Sequence, residues 1–340
     1  MMQETIVPLL AEAKPIEQLD RAAVYFPLAN GRYEVKPGLV RFGTDFGNGE
    51  ADQQVFQIDD NFAHYCQVKQ QARRERLSKY VQTQNFTPAV ERAIAQFMVD
   101  RLVQDHPQIF HLEQPLNYFV FQNQLTQERL IFNQNFDLQE IEAQVEIPYV
   151  SALDALVNQV QDDVTIVSRA GEQHWISAIH LCFPNHWSAE EKIGREFARV
   201  HEPVAGMEAM NRRGVAIVHT MITRPPTVRF SWGISTDTRL NHHPEPPPEI
   251  PATQWKGRYF NPADPRLYLR IERQVVWGFP AVDAALFSIR TYFRDCQVLK
   301  QDAHLRSQLS AAIRSMSPES LAYKGLASRQ AVILKWLEEA

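Results

Sequence analysis

His201 closes the stretch Leu181–Gly206, LCFPNHWSAEEKIGREFARVHEPVAG, and is the residue of this chain best placed to act as a ligand. It stands four positions after Phe197, so helical spacing puts both on one face with Ile193 and Val200. A neutral imidazole there offers one ring nitrogen to a metal or haem iron when a partner holds the other. The same position suits a hydrogen-bonded core histidine, and a helix C-terminus favours the charged ring, which cannot ligate. Gly194 falls inside the expected helix, where glycine costs about 1 kcal/mol against alanine. Close approach of a bound group, or of another backbone, would account for it.

A second set of candidates comes from alternation. In Leu267–Val275, Leu269 and Ile271 share one strand face, and Arg270, Glu272 and Gln274 share the other. On the following strand Arg290 stands among Ser288 and Tyr292. If the two strands pair, Arg270, Glu272 and Arg290 are expected to form one polar patch. Arginines there clamp carboxylates, and Glu272 holds an amine or works as a base. The alternative is a structural ladder of ion pairs. Arg229 and Trp232, in RFSW, lie on opposite faces of their own strand; either contacts a ring or a carboxylate, or the tryptophan packs in the core. The other histidines show no ligand spacing, and no G-x-S-x-G or H-E-x-x-H motif supports a hydrolase.

The elements that position these residues follow a simple order. Residues 1–60 read as irregular, with short extended pieces at Tyr33–Val35 and Val55–Ile58. Asn61–Val81 reads as a helix whose charge run, Lys69 to Lys79, is a solvated face. Thr87 caps a second helix with Pro88 in its first turn and an apolar stripe from Val90 to Leu102. Strands then dominate: Tyr118–Phe121, Arg129–Phe132, Val145–Val150, and a hairpin of Asp163–Ser168 with His174–Phe183. The anchor helix is expected from Ser188, capped with Glu191 as a capping box, to Val200. Val215–Ile222, Val228–Ile234, Leu267–Phe279 and Ala285–Phe293 read as further strands. A proline-rich loop, 241–265, holds seven of the 21 prolines, and helices at Leu299–Ser315 and Ser328–Glu338 close the chain. Helices, then antiparallel strands interrupted by a helix, then helices again indicate an α+β fold with a curved antiparallel sheet and flanking helices.

Composition bounds the function classes. With 340 residues, 44% hydrophobic and 22% charged, the chain can bury a large core. A net charge of −5 argues against nucleic acid as a partner. No stretch reaches the roughly 18 apolar residues of a membrane span, and MMQETIVPLLAEAKP has no signal-peptide pattern. Cys66, Cys182 and Cys296 form no disulfide framework and no C-x-x-C pair. A cytoplasmic protein is expected. The chain carries no iron–sulfur motif, and no glycine-rich motif for a flavin or nicotinamide nucleotide.

FPNHWSAEEKIGREFARVHEPVAG, RFSW, LYLRIERQVVWGFPAVDAALFSIRTYF and SPESLAYKGL occur in the order seen in one family. The chain resembles the haem-carrying (alpha) subunit of the haem-dependent oxidative N-demethylases, over roughly residues 20–325 and most sharply from Asp162 onward. It is read as one domain, 1–340, whose largely helical first 110 residues match loosely. The resemblance implies a haem b in a PAS-like module with a histidine on the iron; by position that is His201, with Gly194 beside it. It implies oxygen-dependent removal of a methyl group from a small amine such as dimethylamine, giving formaldehyde. Electrons then arrive from NADPH through partner polypeptides carrying flavin and an iron–sulfur cluster. Arg229, Arg270 and Arg290 become candidates for haem propionates, and Glu272 for the protonated amine. The chain departs from the family pattern at Ala205, at Ser231 and over 275–279. Two other classes remain open: a haem-PAS-like sensor or binding protein without catalysis, and a relative that kept the fold without the cofactor.

Overall fold

Eleven strands and their helices are seen in a computed structural model that describes residues 7–143, 145–248, 250–256 and 259–339. The first six residues of the stretch read for a signal peptide lie outside those described. The strands are β1 (Val40–Arg41), β2 (Val81–Thr83), β3 (Phe110–Glu113), β4 (Tyr118–Asn123), β5 (Glu128–Asn133), β6 (Leu138–Glu142), β7 (Asp162–Ala170), β8 (Gln173–His180), β9 (Thr227–Ser235), β10 (Tyr268–Phe279) and β11 (Ala284–Asp295). They form a seven-stranded sheet in the order β1-β9-β10-β11-β7-β8-β2 and a four-stranded meander, β3-β4-β5-β6. Every pairing within these sheets is antiparallel. The class is therefore α+β, with helices flanking open antiparallel sheets.

The core explains why the two sheets hold together. Phe121, Leu130 and Phe132 of the meander share one apolar cluster with Val164, Ile166, Val275 and Leu286 of the large sheet, through the helix Pro88–Asp105. That helix starts as read, with the Thr87 side chain accepting from the Val90 amide. Leu269 and Ile271 pack instead with the C-terminal helices through Leu309, Ile313 and Trp336.

Alternate residues of β10 build the other face. Phe293, opposite Arg270, packs with Tyr65, Phe183 and Trp255. Ala285, opposite Gly278, packs with Val218 and Ile222. Between these clusters, on the same face, come Glu272 and Gln274 with their β9 partners Ser231 and Arg229. A polar band thus crosses one face of the sheet between two apolar clusters.

Several expectations are corrected. Val215–Ile222 is not a strand but the helix Gly214–Thr223. It lies so close to the sheet that a Cβ on Gly278 would sit 2.1 Å from the Ile222 carbonyl oxygen. Val145–Val150 is irregular; the edge strand of the meander is β6, earlier in the chain. Nor is the charge run of Phe62–Tyr80 a solvated face. Lys69, Arg73 and Lys79 are buried, on the helix side that carries Tyr65, Val68 and Ala72 inward.

Candidate active site

The anchor helix is two helices. Ser188 caps the first, Ala189–Lys192, by accepting from the Glu191 amide at 3.3 Å. The chain then turns at Gly194, whose φ of +71° is the left-handed conformation that glycine tolerates. A Cβ there would meet the Gln84 side chain, so the close neighbour of Gly194 is Gln84 and the glycine serves the turn rather than the middle of a helix. The second helix, Phe197–His201, begins with the Phe197 amide donating to His174 Nε2 at 3.1 Å.

His201 ends that second helix, half-buried, its ring 4.2 Å from the Phe197 ring. Its Nδ1 donates to the Phe197 carbonyl at 2.8 Å. A carbonyl only accepts, so this bond puts the proton on Nδ1 and leaves the Nε2 lone pair free. Burial holds the imidazole below the ordinary histidine value; the Phe197 carbonyl opposes this, and the charges of Arg229 and Lys192 add to it. The ring is therefore neutral at neutral pH, as a ligand must be.

The polar band of the large sheet has unspent capacity. Glu272, 15% exposed at its side chain, accepts from Gln274 Nε2 at 2.9 Å and stands 4.0 Å from Arg270 Nε. Arg229 Nε and Gln274 Oε1 are buried without a hydrogen-bond partner. Burial lowers the Arg229 guanidinium, and the Glu272 charge opposes that shift, so the two sense each other. The Arg229 charge is thus felt by the His201 ring, and the Glu272 charge by Arg229.

The structure does not bring Arg290 into this patch. The strands do pair, but Arg290 is opposite Arg273, on the other face of the sheet. It contacts Asp59 at 2.6 Å and lies over the Tyr65 ring at 4.3 Å. Arg270 is on the expected face but deep: it donates to the Phe183 and Leu240 carbonyls at 2.7 and 3.2 Å. Trp232 packs in the core opposite Ile271. Two small cavities, of about 20 and 10 Å³, lie elsewhere, the first beside Asp59, Arg290 and Tyr292 and the second between Phe260 and Ile333. Neither is large enough for a porphyrin.

A second buried cluster escaped the reading of the sequence. Donor atoms of Asp163, His180 and Cys182 lie within 4.8 Å of one another. His180 Nε2 is 3.1 Å from the Asp154 carboxylate, which also pairs with Arg73. Asp163 accepts the Cys182 and Phe183 amides at 2.7 and 2.9 Å. Beside them the Lys69 ammonium, 0% exposed, donates to the Val157, Val160 and Asp162 carbonyls at 2.5 to 2.8 Å. That ammonium supplies the positive charge a metal would bring, so the cluster reads as a self-neutralised strut. Its signal in the sequence was a lysine and an arginine on the apolar side of a helix, hidden within a charge run.

No helix among the described residues is long and apolar enough to cross a membrane. Half-buried at the end of a short helix and held by the Phe197 carbonyl, a neutral histidine with a free Nε2 has the form of a metal-ligating imidazole. The profile of the family described as haem-dependent oxidative N-demethylase, alpha subunit-like, matches residues 48–334, and the chain belongs to that family.

Proposed function

We propose that this chain binds haem b through His201 and serves as the amine-oxidising component of an oxidative N-demethylase. The observation that carries the reading is the His201 tautomer: Nδ1–H tied to the Phe197 carbonyl, Nε2 free, the ring neutral. A backbone-anchored ring of this kind is the usual form of a histidine ligand. The orphaned Arg229 Nε on the same face fits the anionic edge of such a group, since a guanidinium suits a carboxylate. Arg290 spends donors on the Thr291 carbonyl and Asp59, and Arg270 spends its terminal nitrogens on carbonyls and keeps only Nε unpaired, which favours holding the sheet over clamping propionates.

Bound haem supplies an iron that activates dioxygen with electrons delivered from outside. The chain's own part is to place the amine. Glu272 has one carboxylate oxygen engaged by Gln274, and the other, 4.0 Å from Arg270 Nε, keeps hydrogen-bond capacity for a protonated amine. Net, one N-methyl group, O2, two electrons and two protons give the shortened amine, formaldehyde and water. Because the chain carries no cluster or dinucleotide motif, a partner polypeptide with flavin and an iron–sulfur cluster is the source of electrons. The family's subunit description supports such a partner. A PAS-like core, one domain over 1–340 and a cytoplasmic location complete the proposal.

Formaldehyde release from dimethylamine, with a surrogate reductase and NADPH, tests it. Glu272→Gln is expected to lower the rate at least tenfold, by loss of the charge that holds the amine. No formaldehyde from any small methylamine, with haem bound, would favour a sensor or binding protein.

A further inference from the structure

Gln274 and Arg229 are direct partners on β10 and β9. Yet Gln274 Oε1 accepts no bond and Arg229 Nε donates none, although both atoms are buried. A donor and an acceptor on opposed residues that ignore each other are set for other groups, because buried polar atoms are seldom left unpaired. The Gln274 amide is oriented by its other end, where Nε2 donates to Glu272 Oε2 at 2.9 Å. Turned over, its carbonyl oxygen would face that carboxylate, so Oε1 must point away from Glu272 Oε2. Glu272 Oε1 lies 4.0 Å from Arg270 Nε, beyond hydrogen-bond reach.

Resting on the amine reading above, we infer that Gln274 is a specificity-determining residue: its side-chain oxygen accepts a second N–H from an ammonium held by Glu272. The arithmetic of donors then selects the substrate. A protonated secondary amine has two N–H groups, one for Glu272 Oε1 and one for Gln274 Oε1. A protonated tertiary amine has one and a quaternary ammonium none. Either leaves a buried acceptor unpaired, and sites that bind through a hydrogen bond reject ligands that lack it. The Glu272 charge attracts all three cations alike, so charge alone cannot choose among them. Arg229 offers only donors and has no role toward a cation.

The test is calorimetric titration of the haem-supplemented chain with dimethylammonium, trimethylammonium and tetramethylammonium near neutral pH. Wild type is expected to prefer dimethylammonium over trimethylammonium about tenfold or more, the effect of one hydrogen bond to a charged group. Gln274→Leu, which keeps bulk and removes the acceptor, should bring the two to parity, whereas Glu272→Gln should weaken both. A ratio between two ligands is not moved by a merely structural role, and the wild-type ratio needs no variant to fold. Equal wild-type affinities, or an undiminished preference in Gln274→Leu, overturn the role of Gln274 while leaving Glu272 as the amine holder. Amine binding indifferent to Glu272→Gln, or none at all, overturns the amine reading and this role with it.

Discussion

At the scale of single residues, ligation by His201 turns on a proton. The Phe197 carbonyl fixes it on His201 Nδ1, and burial keeps a second proton off Nε2. A histidine with a lowered pKa stays neutral through the ordinary imidazole value, near 6.5. Haem affinity, followed by absorbance, is therefore expected to be flat from pH 8 down past 6.5 and to fall only at lower pH. A fall centred on the ordinary value would mean that the ring is solvated and unconstrained. Glu272 is a matter of placement: one carboxylate oxygen is engaged by Gln274, and the other stands 4.0 Å from Arg270 Nε, which has no hydrogen-bond partner.

At the scale of elements, two contacts place the site. The helix Gly214–Thr223 rides on Gly278, where any side chain would strike the Ile222 backbone. Gly278→Ala is expected to lift that helix and cost about 1–3 kcal/mol, read by urea unfolding. On the far side, Asp154 joins Arg73 and His180. Burial raises its carboxyl, but the hydrogen bond and charge of His180, with Arg73, outweigh that and lower it to about 2. This stabilisation is present above the unfolded carboxyl value, near 3.9, and is lost as pH falls through the folded value. Asp154→Asn leaves the buried Arg73 charge unpaired and is expected to cost about 3–5 kcal/mol at neutral pH. These contacts also show what the sequence made legible. Alternation marked β9, β10 and β11, since one face of each must meet apolar neighbours. Register did not show, because it depends on the turn Pro280–Asp283, where Asp283 adopts φ +49°. A shift of one residue changes the face of every side chain, which is how Arg290 was grouped with Glu272. Val215, Ile217, Val218 and Ile222 suggested a strand because β-branched residues favour one; packing onto Gly278 overrode that preference. The Lys69 strut was invisible because only contacts among distant segments reveal that its charge is buried.

At the scale of the whole molecule, the sheet presents one face to two large cores and keeps a polar band on the other between two smaller clusters. The sequence contains no C-x-x-C pair and no glycine-rich dinucleotide motif. NADPH alone is thus expected to leave the haem oxidised, and a surrogate flavin and iron–sulfur reductase to reduce it; rapid reduction by NADPH alone would contradict the partner reading. The central claim, that His201 holds an iron, is tested most directly by the visible spectrum of haem-supplemented protein. Wild type should show a sharp Soret band, and His201→Ala, folded as judged by circular dichroism, should lose or shift it, with imidazole restoring it. An unchanged Soret band in His201→Ala, or none in wild type, would contradict the account.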